Sequence, residues 1–237
     1  MLHKRTQGTN SWAQVMNGYQ WHFEVVWSSW PQLLEGTTYT LLLTALSFSL
    51  SVLFGCVVCA LRVSPIRIVS LVAAGFIELM RLTPLLLQML FIYSSLASLI
   101  GLRLSPFQAG LLALSLNSSA FLAETFRSGL NAVPQGQSEA AVALAMSPWH
   151  TFRRIVGPQA FRIIIPPLGS SWVSSFKDTS LLAVLGVPEL LTQAQMISAS
   201  TFRPLETFTA VALIYLILAY PQALLVEWLY RRKQTRV

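Results

Sequence analysis

Long apolar runs, broken at a few polar or conformationally awkward points, organise this chain. The first extends from Gly36 to Leu61 and contains no charged residue. A helix needs about 20 mostly apolar residues to cross the ~30 Å hydrocarbon layer, so the run predicts a first membrane span. Ahead of it, residues 1–35 carry Trp12, Tyr19, Trp21, Trp27 and Trp30. Amphipathic aromatics favour the membrane–water boundary and predict an extracytoplasmic, interfacial lead-in. A second apolar stretch, about Ile68 to Ile100, is interrupted by Glu78, Arg81 and Pro84. It predicts a helix to about Leu82 and a further piece from Pro84, together one bent span. Gly101 and Pro106 mark a turn. A third span is expected from about Phe107 to Leu130. The fourth, about Pro166 to Ile197, is broken at Gly186 and Pro188, and the fifth runs from about Thr207 to Tyr230. The transmembrane unit thus covers 36–230, followed by the basic tail RRKQTRV at 231–237.

Composition agrees with an all-α integral membrane protein of about five transmembrane helices. Hydrophobic residues make up 54% of the 237 residues and charged residues only 11%, against about 25% charged in soluble domains. The net charge of +7 would suggest nucleic acid in a soluble protein. Here the cations flank apolar runs and act as topology signals, so no nucleic-acid partner is expected. With the C-terminus inside, the cytoplasmic side collects Arg62, Arg67, Arg153, Arg154, Arg162, Arg231, Arg232, Lys233 and Arg236. The outside keeps only Lys4, Arg5, Arg103 and Arg203. The bias predicts N-out, C-in. The start, MLHKRTQGTN, is basic but lacks an apolar run directly after it, which argues against a cleaved signal peptide.

Between spans three and four lies a polar stretch, Gln135 to Arg162, that this topology places in the cytoplasm. SEAAVALAM is rich in alanine and predicts a helix. Ser147 and Pro148 supply an N-cap and a first-turn proline, the proline forcing the turn between the two helices. Trp149, Phe152 and Val156 follow at helical spacing, and Gly157-Pro158 is expected to end the second helix. Such a unit either lies on the lipid surface, with Arg153 and Arg154 toward phosphates, or docks another protein.

Glu139-Ala140-Ala141, followed by Ile155 and Pro158, resembles the EAA loop of ABC importer permeases. NSSAFLAETFRSGLNAVPQGQSEAA, ELMRLTPLLLQMLFIY, VGPQAFRIIIPPLGS and KDTSLLAVLGVPELL resemble the polar amino-acid branch, the histidine/glutamine permease type, and LLEGTTYTLLLT fits its first span. The resemblance covers about residues 30 to 230. It implies a multi-pass permease of the bacterial inner membrane, importing amino acids of the glutamate, glutamine, histidine and arginine class. It also implies its partners: a cytoplasmic ABC ATPase dimer, a second permease chain (identical or sister), a periplasmic solute-binding protein and membrane lipid. Glu139, Ala140, Ala141, Ala145, Arg153, Ile155 and Pro158 would couple to the ATPase. The family usually has Gly at the position of Ala145 and Leu at that of Gly157. A left-handed backbone at Ala145 would cost up to ~1 kcal/mol, unless Ser147 and Pro148 build the turn differently. No cofactor is implied. No G-x-x-x-x-G-K-[ST] occurs, and none of Lys4, Lys177 and Lys233 follows a glycine, so ATP hydrolysis belongs to a partner.

Charges inside the spans add candidates. Glu78 with Arg81, and Glu124 with Arg127, are three residues apart and predict structural ion pairs. Lys177 and Asp178 would each cost ~2.5–3.5 kcal/mol at a helix centre, and with Thr179, Ser180 and the break at Gly186 they mark a candidate translocation path, either lining it or locking it. Asn117 is a further candidate, with bonding to a neighbouring helix as the plainer role. An ion-coupled secondary transporter would show internal repeats of spans. An intramembrane enzyme would need a catalytic cluster, yet His3, His22 and His150 lie outside the spans and Asp178 is the one aspartate. Cys56 and Cys59 lack the further ligands of a zinc site, so no metal is expected and both are taken as small buried helix residues.

Overall fold

A computed structural model describes residues 19–101 and 103–234. Trp12, Lys4, Arg5 and Arg236 lie outside the described residues. The described chain is all helix and connection. The helices are α1 (Glu24–Ser28), α2 (Trp30–Arg62), α3 (Arg67–Leu82), α4 (Leu85–Leu90, continuing through Ile100), α5 (Pro106–Asn131) and α6 (Gln135–Ala143). They are followed by α7 (Pro148–Thr151), α8 (Gly157–Asp178), α9 (Leu190–Thr201) and α10 (Pro204–Gln234). A π-helical turn, Phe152–Val156, joins α7 to α8, and a 3-10 segment, Thr179–Leu185, extends α8.

Helices α2 and α10 are long and apolar enough to cross a membrane. Four spans result if two bent pairs each count as one: α3 with α4, bent by 108°, and Pro148–Leu185 with α9, bent by 48°. Helix α5, the expected third span, has 26 residues but is interspersed with Ser, Asn, Glu and Arg. Its surroundings explain the polarity, since its face from Ala109 to Gly129 is buried by protein and needs no lipid-compatible exterior.

The central contact is α2 against α5. Buried Gly36, Thr40, Thr44, Ser47, Ser51, Gly55 and Cys59 form a stripe of small residues along α2. Small residues let membrane helices approach closely, and Gly55 shows how closely: a Cβ there would sit 3.0 Å from the Leu122 side chain and 3.2 Å from the Ser119 carbonyl. Ser51 donates to the Ser115 carbonyl across this seam at 3.2 Å. Cys59 belongs to the stripe, whereas Cys56 is exposed, contrary to the expectation that both are buried.

The bend between α3 and α4 falls at Thr83-Pro84. A residue before proline is driven to extended backbone, and Thr83 has ψ 143°. The bend frees carbonyls at the end of α3, and buried side chains meet them. Gln88 Nε2 donates to the Met80 carbonyl (2.9 Å) and to Thr83 Oγ1 (2.7 Å). Asn117 Nδ2 donates to the same Met80 carbonyl and to Gln88 Oε1, both at 3.0 Å.

The second break follows Leu185. Gly186 takes the left-handed conformation at φ 73°, which glycine adopts without steric cost. Glu189 then caps α9 from a fully buried position. Its carboxylate accepts from Leu191 N (2.9 Å), Thr192 N (2.6 Å), Thr192 Oγ1 (3.0 Å) and the Tyr215 hydroxyl (3.2 Å). Leu190 N donates to Thr40 Oγ1 at 3.1 Å, tying the break to α2.

Several expected boundaries move. The first long helix begins at Trp30, ahead of Gly36. Gly157-Pro158 does not end a helix, because the chain passes through it by a π-turn into α8. Helical structure is therefore continuous from Pro148 to Leu185 rather than beginning at Pro166.

Replacing Glu189 by Ala leaves two backbone donors, one buried and one part-buried, without an acceptor, a loss of about 2 kcal/mol. Glu189→Ala is therefore expected to lower the melting temperature of the detergent-purified protein, and Glu189→Gln, which keeps an acceptor oxygen, to lower it less. Unchanged melting in Glu189→Ala would remove the cap from the account of this break.

Candidate functional site

Two regions gather the candidate residues: the projecting α6–α7 unit and the face shared by α8 and α10. In the first, α6 ends as its backbone turns left-handed at Ala145, φ 54°. Met146 N bonds the Ala141 carbonyl (3.0 Å) and Ala145 N the Val142 carbonyl (2.9 Å), the paired bonds of a Schellman motif. The left-handed alanine, not the proline, therefore makes the turn, at a cost of about 1 kcal/mol relative to glycine. Ser147 then caps α7 as expected: its Oγ accepts from His150 N at 3.4 Å, and Pro148 sits in the first turn.

The unit is anchored from beneath and open above. Ala141 is fully buried, and Gln159 Nε2 on α8 donates to Gln137 Oε1 at 3.3 Å and to the Ile155 carbonyl at 3.0 Å. Glu139, Ala140, Ala145, Arg153 and Pro158 are exposed, and Ile155 is half-buried. Among them stand large apolar side chains: Val142, Leu144 and Trp149 are 71%, 75% and 63% exposed. Trp149 stacks on Phe152 with centroids 6.1 Å apart. Large exposed apolar side chains on one short unit make it a candidate interaction surface. Val142 and Leu144 were not singled out by sequence, although an apolar residue breaking the polar face of an alanine-rich helix was the available signal.

In the second region, Lys177 is exposed and lines two grooves. One, of about 450 Å³, lies between α8 and α10 and includes Ser170, Ser174 and Glu227. The other, of about 540 Å³, includes Ser180, Phe208 and Tyr215. Asp178, next in sequence to Lys177, is half-buried. The hydroxyls of Thr179 and Ser180 are turned onto their own helix, donating to the carbonyls of Phe176 (2.8 Å) and Lys177 (2.7 Å). Asn117 stands apart from these residues, in the α3–α4 bend. Ser170, Ser174 and Lys177 recur at helical spacing, a polar stripe legible in the sequence but not singled out there.

One of the two expected ion pairs forms. Arg127 engages Glu124 with Nη2 2.7 Å from Oε2, and Nε contacts both carboxylate oxygens. Glu78 and Arg81 do not pair. Both are exposed, and the Arg81 guanidinium instead lies over the Phe121 ring, 5.5 Å from its centroid, where the ring's negative face attracts it. A buried carboxylate that the sequence did not flag, Glu206, holds the lead-in to the start of α10. It accepts from the Tyr19 hydroxyl at 2.5 Å and from His22 N at 3.0 Å, with Arg203 at 3.7 Å. Among the described residues, no three His, Cys, Asp or Glu side chains group to hold a metal ion.

Comparison with known proteins matches this arrangement of helices. The family described as binding-protein-dependent transport system inner membrane component matches residues 51–235. The glutamine transport system permease protein GlnP of Escherichia coli (strain K12) is 38% identical over 214 residues, 90% of this chain and 98% of that protein. The L-cystine transport system permease protein TcyB of Bacillus subtilis (strain 168) is 36% identical over 206 residues, 86% of this chain and 88% of that protein. A crystal structure of an amino acid ABC transporter with histidines contains a chain that superposes with a TM-score of 0.85. That chain is 35% identical, and the match covers 90% of this chain and 100% of that one. The chain belongs to the family of binding-protein-dependent transport system inner membrane components, as a multi-pass ABC-type permease.

Proposed function

We propose that this permease imports polar amino acids of the glutamate, glutamine, histidine and arginine class into the cytoplasm, driven by ATP hydrolysis on a partner subunit. The printed activities of the relatives, glutamine and L-cystine transport, support the substrate class. In this reading five spans cross the membrane N-out, C-in: α2, the bent α3–α4 pair, α5, α8 with its continuation, and α10. The α6–α7 unit then hangs in the cytoplasm, and the lead-in lies at the outer face. A solute-binding protein delivers substrate there, and a second permease chain, identical or sister, completes the channel.

One observation carries the coupling role: a projecting helix pair, apolar and charged on its outer side, is fixed to a continuous helix that also bears Lys177. Motion imposed on Glu139, Ala140, Ala145, Arg153 and Pro158 by an ATPase has a covalent, helical route to the groove. In the groove, Lys177 supplies a cation suited to a substrate carboxylate. Asp178, Thr179 and Ser180 shape the helix around it, and Asn117 holds the α3–α4 bend rather than touching substrate.

Gentle purification of the tagged chain from its native membrane, with mass spectrometry of co-purifying proteins, tests this reading. An ABC ATPase is expected. A chain that is active in uptake yet reproducibly alone would overturn the proposal.

Three substitutions separate the parts. Glu139→Lys is expected to abolish uptake while membrane insertion, read by fractionation, stays normal; normal uptake would take Glu139 out of the docking surface. Trp149→Ala should weaken retention of the ATPase by about tenfold or more, the scale of an exposed aromatic anchor, and undiminished co-purification would exclude Trp149. Lys177→Ala should leave the ATPase bound but reduce uptake, and unchanged transport kinetics would remove Lys177 from the path.

A further inference from the structure

An apolar groove of about 430 Å³ runs between α2 and α8, with Phe126 and Leu130 of α5 also lining it. Its walls extend from Val52 to Val63 on α2 and from Gly157 to Leu168 on α8, each about 16 Å of helix at ~1.5 Å per residue. The side chains that line it are apolar or, at Cys56 and Cys59, thiols. Neighbouring residues of the same helices, Leu53, Val57 and Leu61 on α2 and Ile163 on α8, are apolar and exposed. The groove shares no residue with the two that hold Lys177, so it is a separate place on the molecule.

Charge gathers at one end of this groove. Helix α2 has no charged residue from Gly36 to Leu61, and α8 has none from Ile163 to Phe176. At the other end, Arg62 precedes Val63, Arg153 and Arg154 follow Phe152, and Arg162 follows Phe161. Arg153, Arg154 and Arg162 are exposed. Among the described residues none of the four pairs with a carboxylate, since the ion pairs are Arg127–Glu124 and Arg203–Glu206. Arg62 gives its Nη1 to a neutral group, Ser70 Oγ, at 2.8 Å. A long apolar slot that ends among unpaired guanidinium groups has the polarity of a phospholipid, with an acyl chain along the helices and a phosphate at the cationic end. Arginine suits that end, because its stem lies along apolar surface while its planar head holds phosphate. Basic pockets between spanning helices bind anionic head groups in this way. An apolar protein segment would fill the slot but leave the cations at its end without counter-charge.

Gly157 keeps the cationic end of the slot open. The family resembled by the sequence usually has Leu at that position, and a leucine side chain there would enter the groove near Phe152. The open slot therefore departs from the pattern that the family usually shows.

We propose that an anionic phospholipid occupies this groove, one acyl chain between α2 and α8 and its phosphate against Arg154 and Arg162, with Arg62 and Arg153 adding to the positive field. The permease complex is purified in detergent, stripped of native lipid by detergent exchange, and titrated with phosphatidylglycerol or with phosphatidylcholine of the same acyl chains. Bound lipids are counted by native mass spectrometry. The wild type is expected to hold phosphatidylglycerol about tenfold better than phosphatidylcholine. Gly157→Leu and, from the opposite wall, Cys56→Phe fill the groove, and each is expected to lower phosphatidylglycerol retention by about tenfold. Arg154→Gln combined with Arg162→Gln is expected to abolish the preference between the two lipids. These arginines are exposed, so that variant carries the test should a filled-groove variant fail to assemble. Equal retention of the two lipids by the wild type overturns the proposal, as does an unchanged preference in the arginine variant or wild-type retention in an assembled filled-groove variant. A filled-groove variant that loses a permease chain rather than a lipid assigns the groove to a protein neighbour and likewise overturns it. The readout is lipid occupancy, so its failure leaves the import reading untouched.

Discussion

Inside an apolar layer no water relieves an unpaired backbone group, and each one costs several kcal/mol. That constraint governs this structure wherever a helix is interrupted. At the α3–α4 bend, Gln88 and Asn117 converge on the Met80 carbonyl. At the break before α9, Glu189 takes the first amides of the new helix and Thr40 takes the amide of Leu190. In each case the side chain that repairs the backbone also ties two elements together, so the bends are fixed joints. Among the described residues, no buried side-chain polar atom lacks a hydrogen-bond partner.

These joints rest on the α2–α5 seam. A stripe of small residues lets α2 lie close enough for Ser51 to reach a carbonyl of α5. From the two sides of the seam, Thr40 on α2 reaches Leu190 and Asn117 on α5 reaches Met80. Gly36 repeats the logic at the other end of α2, where a Cβ would sit 2.8 Å from the Leu190 backbone. A larger residue at Gly36 or Gly55 therefore acts beyond its own contact. It separates the helices whose side chains complete the breaks.

Much of this was legible in the sequence. The long apolar runs, the breaks at Pro84 and Gly186, the N-cap at Ser147 and the alanine-rich helix follow from local rules that need no partner. What was missed depends on a neighbour. Glu78 and Arg81 have the spacing of an ion pair, but the ring of Phe121, forty residues on, offers Arg81 a different seat. Glu189 is unremarkable until Tyr215 and the broken helix surround it, although an acidic residue just after Gly-Val-Pro and three before a threonine was a readable cap signal. Gly157-Pro158 was taken as a stop because proline usually ends a helix. The chain instead passes through them by a π-turn into α8.

Lys177 supplies the physical argument for a second chain. It is exposed on the α8–α10 face, in grooves otherwise lined mainly by Pro, Val, Ala, Phe and Leu. Facing acyl chains, an ammonium costs about 2.5–3.5 kcal/mol on insertion scales. The neighbouring hydroxyls do not offset this, because those of Thr179 and Ser180 are committed to their own helix. In a chain alone in lipid that cation would lie on an open groove whose other charged side chain is Glu227. In the proposed assembly, a second permease chain over that face would enclose the groove and replace lipid by protein or water around the ammonium. The helix that bears the lysine is also the helix joined to the α6–α7 unit.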